Sequence, residues 1–306
     1  MIRNFLFHRV DDSPDPLWDP MRIALSDKCI SYIKTNYDVV LFEELAGANY
    51  NLQKNNFATI MFDDGYKDNV LNAAPILKYY GCKASFYVVT DCINYNIPTW
   101  THQLEYVFQK TTISNLKIDF SFLPIALHVN GLLSYTQRID YVKRLKPFLK
   151  RINHQNRAAV LDVIFKTYND VEFPKVMMCW DDLKNLKSEG HYIGSHTTSH
   201  AMLGTMHNEN DIEAELINSA QSIKQHLGHF PLTISYPVGS YNAHVKALAK
   251  KAGYAYGLAV NQNIFNPQKH DWFEVPRIEL YNESWLKTKL RITHRLEQIK
   301  TILGYK

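Results

Sequence analysis

Eight short runs rich in β-branched and aromatic residues, separated by helical patterns, constrain the fold of this chain more than any other feature. The runs are Phe5–His8, Val39–Phe42, Ala58–Phe62, Ala84–Val89, Tyr192–Ser195, Leu232–Tyr236, Gly257–Val260 and Phe273–Ile278. Most are apolar without alternation, the pattern of strands covered on both faces. Helical patterns at Asp68–Tyr80, Asp181–Ser188, Asn210–Leu227 and Asn242–Ala252 stop at or just before Gly81, Gly190, Gly228 and Gly253. Repeated strand–helix units imply a parallel sheet or a barrel. The alternation breaks between about Tyr95 and Lys175, where helical patterns (Tyr135–Leu149, Arg157–Tyr168) occur without a parallel-strand run. That stretch reads as a helical insertion within a single domain spanning 1–306, because the chemistry-bearing segments lie on both sides of it.

Charge and cysteine usage exclude several function classes. The chain carries 34 basic and 30 acidic residues, a formal net charge of +4, too mild a balance for a nucleic-acid partner. No apolar run reaches the ~18 residues of a membrane-spanning helix. Met1–His8 holds one Arg and a brief apolar stretch that runs into Asp11-Asp12, without the cleavage site of a secretory signal. A cytoplasmic location is therefore the expectation. The four cysteines (Cys29, Cys82, Cys92, Cys179) are scattered and form no C-x-x-C pair, so they read as reduced thiols. Glu283–Leu303 reads as an amphipathic helix with Lys287, Lys289, Arg291, Arg295 and Lys300 on it. Such a face suits solvent, or peripheral contact with an anionic membrane or glycolipid.

Three segments carry chemistry. In Thr59-Ile60-Met61-Phe62-Asp63-Asp64-Gly65-Tyr66 an apolar strand ends in adjacent carboxylates. Neighbouring side chains at a strand end point in different directions, so one carboxylate can bind a metal while the other stays free. Gly194-Ser195-His196-Thr197-Thr198-Ser199-His200 pairs two histidines four apart in a strand-end loop. It lacks the Glu of H-E-x-x-H, which disfavours a zincin protease. With an upstream carboxylate, two histidines make a site that leaves positions open for water and substrate. Ile234-Ser235-Tyr236-Pro237-Val238-Gly239-Ser240-Tyr241-Asn242 is a strand, a Pro/Gly turn and a helix start, which presents backbone N–H groups to a ligand.

Together, F-D-D-G-Y, H-T-T-S-H and S-Y-P-V-G-S-Y resemble the signatures of the polysaccharide deacetylase family, also called NodB-homology or carbohydrate esterase family four. The resemblance implies an α/β fold, a distorted (β/α)7 barrel, and metal-dependent removal of an acetyl group from a sugar. It implies one divalent ion held by Asp64, His196 and His200, zinc first with nickel, cobalt or iron as alternatives, and Asp63 as general base. Two departures stand out. The Arg that usually opens the third motif is replaced within Ser235-Tyr236-Pro237, and Val238 stands where Tyr is usual. Arg277, at the end of a late strand, is the candidate for the missing charge beside Asp63. No clean L-x-H motif lies near the C-terminus, but Leu6-Phe7-His8 opens the chain. This is similar to the circularly permuted members that resemble poly-N-acetylglucosamine deacetylases, and it makes His8 the candidate acid, with His294 as rival.

The implied substrate is an acetylated sugar or glycan, and a nucleotide-linked or lipid-linked precursor suits a cytoplasmic location. The Val238 N–H is the expected oxyanion donor. Tyr241 and Tyr66 are the expected substrate contacts, and Trp100, Trp180 and Trp272 are further rings able to stack on sugar. Two alternatives stay open: hydrolysis of a C–N bond in a small non-sugar amide on the same scaffold, and a non-catalytic carbohydrate-binding protein.

Overall fold

The computed structural model describes residues 1–47 and 56–297. The strands are β1 (Ile2–Phe7), β2 (Asp38–Val39), β3 (Phe57–Phe62), β4 (Ser85–Val88), β5 (Asn115–Ile118), β6 (Val129–Leu132), β7 (Tyr192–Ser195), β8 (Thr233–Ser235), β9 (Tyr256–Leu258) and β10 (Ile278–Glu279). Seven of them lie side by side in parallel in the order β10-β1-β3-β4-β7-β8-β9, and β2 also pairs with β3. Every residue of β3, β4 and β8 is buried, as expected for strands covered on both faces. The sheet curls so far that its edges nearly meet. Val275 bridges Leu258 in parallel, and three residues on Ile278 pairs with Phe5 of β1. The result is a distorted seven-stranded barrel with surrounding helices, the fold that the family resemblance implied. The first strand lies between the last and β3, as a circular permutation requires.

Several boundaries differ from expectation. The run Val39–Phe42 is strand only at Asp38–Val39, because a helix opens at Phe42. The pattern Asp68–Tyr80 is a π-turn, Asn69–Ala73, followed by an α-helix, Ala74–Tyr79, with Pro75 in its first turn. The insertion is not purely helical. Around the helices Trp100–Lys110, Tyr135–Leu149 and His154–Thr167 it holds an antiparallel hairpin of β5 and β6. Only Leu116 and Ile118 of β5 are buried, so the hairpin offers two inward residues to a pattern search. They join Phe108, Tyr141, Leu145 and Val160 in an apolar cluster separate from that of the barrel.

The C-terminal helix runs from Trp285 to Ile292, and two residues on His294 breaks it with a φ of +61°. The expectation of one helix to Leu303 is thus corrected at His294, and residues 298–303 lie outside the described ones. Part of its basic face turns inward: buried Arg291 and the more exposed Lys287 both pair with Glu283. Among the described residues no helix is long and apolar enough to cross a membrane.

One packing detail carries a pH prediction. His191 is buried beside β7, where its Nδ1 accepts the Ala84 N–H at 3.1 Å. Burial, with Lys83 nearby, pushes its pKa down to about 4. In the unfolded chain an imidazole titrates near ~6.5, so between these values the unfolded state binds the extra proton. Stability therefore falls as pH drops through that window. Replacing His191 with Asn keeps an acceptor but no titration. Urea midpoints at pH 5 and 7 should lie closer together in that variant than in the parent, and an unchanged gap would acquit His191.

Candidate metal centre and active-site cavity

Because the sheet is parallel, its strands deliver their following residues to one end, where barrel chemistry collects. His8 follows β1, Asp63 and Asp64 follow β3, His196 follows β7, and Val238 lies just beyond β8. A cavity at this end is lined by His8, Trp18, Asp63, Asp64, Thr101, Glu105, Lys146, Lys150, His196, His200, Val238, Val260 and Glu279.

Asp64, His196 and His200 each offer a ligand atom within 4.8 Å of the others. The Asp64 Oδ1 lies 3.4 Å from His196 Nε2 and 3.3 Å from His200 Nε2. His196 Nδ1–H donates to the Ser235 carbonyl at 2.8 Å, which fixes the tautomer and leaves Nε2 free as a ligand. The buried Asp64 Oδ1 has no hydrogen-bond partner among the described residues, nor has His200 Nδ1. An orphaned buried carboxylate oxygen flanked by two imidazoles fits a divalent cation, and two nitrogens with one oxygen form a donor set that first-row transition metals accept. Burial raises the Asp64 carboxyl, but the neighbouring His196 and His200 imidazoles outweigh it and hold the group well below the usual range.

The backbone here is strained. Asp64, Thr197, His200 and Val238 have φ of 74°, 67°, 63° and 56°, a left-handed conformation that side chains resist. Gly65, at 89°, takes the next step of the turn after β3. Glu215, from the helix Glu209–Leu227, holds the histidine loop. Its carboxylate accepts the Thr198 and Ser199 N–H groups at 3.0 and 2.9 Å and the Ser199 hydroxyl at 2.6 Å. The two histidines therefore meet across a loop, as the Ser/Thr-rich spacer suggested.

Arg277 is fully buried and grips Asp63 with both amino groups, at 2.8 and 2.9 Å, while its Nε–H donates to the Ala259 carbonyl. Ser235 Oγ–H donates to Asp63 Oδ2 at 3.0 Å and accepts from Arg277 at 2.9 Å. This is no surface ion pair. Burial pushes the Asp63 carboxyl up, but Arg277 and His196 together hold it below its ordinary value. Ser235, in the third motif, shares the contact with a guanidinium that arrives from the residue just before β10.

His8 joins the site, with Nδ1 3.5 Å from Glu279 Oε1 and its ring edge-on to Trp18. Its backbone is pinned from the π-turn, where Asn69 donates to the His8 carbonyl at 2.7 Å and Asp68 accepts the Val10 N–H. The rival His294 contacts the Gln262 carbonyl and does not line the cavity. Val238 lines it; Tyr66 and Tyr241 do not. Tyr66 is wholly buried under Trp18, with its hydroxyl 3.1 Å from His102 Nδ1, and Tyr241 stacks on Tyr236. The structure therefore does not bring these two rings to the site as substrate contacts. Trp180 stacks on His226, Trp272 packs on Phe42 and Phe265, and Trp100 lines a neighbouring hollow beside His200. Trp18, Glu279, Lys146 and Lys150 also line the cavity, and no sequence motif singles them out. Glu279 had a usable signal, since it stands two residues after Arg277 and alternate strand residues share a face.

Comparison with known proteins agrees with this geometry. No curated protein sequence matches the chain. Among solved structures, the Streptococcus pyogenes deacetylase PplD in complex with acetate is similar, with a TM-score of 0.63 and 18% identity over 95% of this chain and 97% of that one. A de-N-acetylase from Aggregatibacter actinomycetemcomitans gives a TM-score of 0.60 and 18% identity over 95% and 99% of the two chains. IcaB from Ammonifex degensii gives 0.59 and 14% over 95% and 96%. At such identities the likeness establishes the fold. The polysaccharide deacetylase family model matches residues 51–116 and 135–257, more than half of the sequence and all three motif segments. The chain belongs to the polysaccharide deacetylase family, and its arrangement is the permuted one.

Proposed function

We propose that this protein hydrolyses the N-acetyl group of a sugar in a polysaccharide, glycolipid or glycan precursor, with a divalent cation held by Asp64, His196 and His200. The observation that carries the reading is the convergence of those three side chains beside a second carboxylate, Asp63, which is tied to Arg277 instead. Zinc is the ion we infer first, with nickel, cobalt and iron as alternatives. A divalent ion at this place supplies a Lewis acid that polarises the acetyl carbonyl and acidifies water.

The chain's own groups then have distinct tasks. Asp63, kept ionised by Arg277, takes the proton of the attacking water as general base. An amine leaves an amide only once protonated, and His8, oriented by Glu279, delivers that proton as the C–N bond breaks. The Val238 N–H is the oxyanion donor in this reading, a contribution typically of ~2.7–4 kcal/mol. Trp18, edge-on to His8, offers the apolar face against which a sugar ring packs.

Acetate release from N-acetylated oligosaccharides tests the reading. Activity should vanish after dialysis against a chelator and return with stoichiometric zinc. Hydrolysis of cyclic amides without acetate release from any sugar would overturn it.

A further inference from the structure

Two lysines of the insertion face the cavity, and one lacks a counterion. Lys146 and Lys150 are four residues apart, on the helix Tyr135–Leu149 and its C-cap, so they share a face. Both line the cavity with His8, Asp64 and His200. Lys146 pairs with Glu105, a buried carboxylate of the helix Trp100–Lys110. Lys150 Nζ makes no hydrogen bond or ion pair with any described residue, although it is only partly exposed. The carboxylates that act on it from a distance are Glu105, Glu279 and Asp64, and each has a nearer partner: Lys146, His8 and the two metal-site imidazoles.

The usual role of a basic residue in a last helical turn is to face solvent and complement the helix dipole. Lys143, Arg144 and Arg151 are the exposed basic residues of this helix end. Lys150 instead faces a cavity that a sugar must enter. A neutral sugar would displace water from its ammonium and offer no charge in return, which is costly. An anionic group would replace that water with a charge-assisted hydrogen bond.

We propose that the acetylated sugar accepted here bears a negatively charged substituent, a carboxylate or a phosphate, bound by Lys150 with Lys146 beside it. The proposal rests on the deacetylase reading and names its substrate class.

The test measures kcat/KM of the zinc-loaded protein on three probes: a neutral N-acetylglucosamine oligomer, an oligomer alternating N-acetylglucosamine with glucuronate, and N-acetylglucosamine 1-phosphate. At least one charged probe should exceed the neutral one by about tenfold, the equivalent of ~1.4 kcal/mol. Which charged probe leads tells carboxylate from phosphate. Lys150→Met should collapse the charged-to-neutral ratio through KM, and Lys150→Arg should restore most of it. A ratio near one in the parent, or one that Lys150→Met leaves unchanged, overturns the anion site while the deacetylase reading stands. No acetate from any probe overturns both.

Discussion

An Asp63→Asn protein should lose turnover by about 10²–10⁴-fold, the range for removal of a general base, and still bind one metal ion per chain. The two halves of that outcome come from one arrangement. Asp64 belongs to the imidazole cluster, whereas both oxygens of Asp63 are directed to Arg277 and Ser235. The substitution is nearly isosteric, so Ser235 keeps a partner and the metal ligands keep their places. What disappears is the negative charge opposite a fully buried guanidinium. Neutralising one member of a buried pair costs ~3–5 kcal/mol, so the melting temperature should fall as well. Activity must be compared at a temperature where near-ultraviolet circular dichroism shows both proteins folded. Near-normal activity in the folded variant would remove Asp63 from the role of base.

The barrel was legible because of how its strands are covered. β3 is buried along its whole length, so the run Ala58–Phe62 has no alternation to confuse it with an amphipathic segment. The hairpin of β5 and β6 left almost no trace, since half of each short strand is exposed. The cluster of Asp64, His196 and His200 was legible because adjacent carboxylates at a strand end and two histidines across a polar loop are unusual combinations. Arg277 could be nominated from its position on a late strand, but nothing local revealed that it would be buried. That fact depends on β9 and β1 closing around it.

Tyr66 and Tyr241 lie beside motif residues in sequence, but proximity along the chain is not proximity in space. Tyr66 follows the left-handed turn at Asp64 and Gly65, which sends its ring beneath Trp18. Trp18 itself sits in a loop between β1 and the first helix, where no periodicity ranks one residue above another. Nothing in the helical pattern Tyr135–Leu149 singles out Lys146 and Lys150, because a cavity on that side exists only once the insertion folds over the barrel end. Side chains supplied by a neighbouring layer are the ones a single segment cannot announce.

Removing a ligand should separate cleanly from removing the base. His196→Ala leaves only Asp64 and His200, and it also frees the Ser235 carbonyl that fixed the ring. Metal content after dialysis should therefore drop to below about a tenth of an equivalent, with turnover lost to at least the extent of Asp63→Asn. Stability gives a readout independent of catalysis. A ligand that binds only the folded state stabilises it by ~4 kcal/mol at a thousand times its dissociation constant, so added zinc should raise the melting temperature of the parent and of Asp63→Asn. In His196→Ala that rise should vanish. His294→Ala is the matched control, because this histidine contacts the Gln262 carbonyl outside the cavity and its loss should leave both metal content and the zinc-dependent shift intact. A His196→Ala protein that kept a full equivalent of metal and the same thermal shift would place the ion elsewhere, and the assignment of Asp64, His196 and His200 would fall with it.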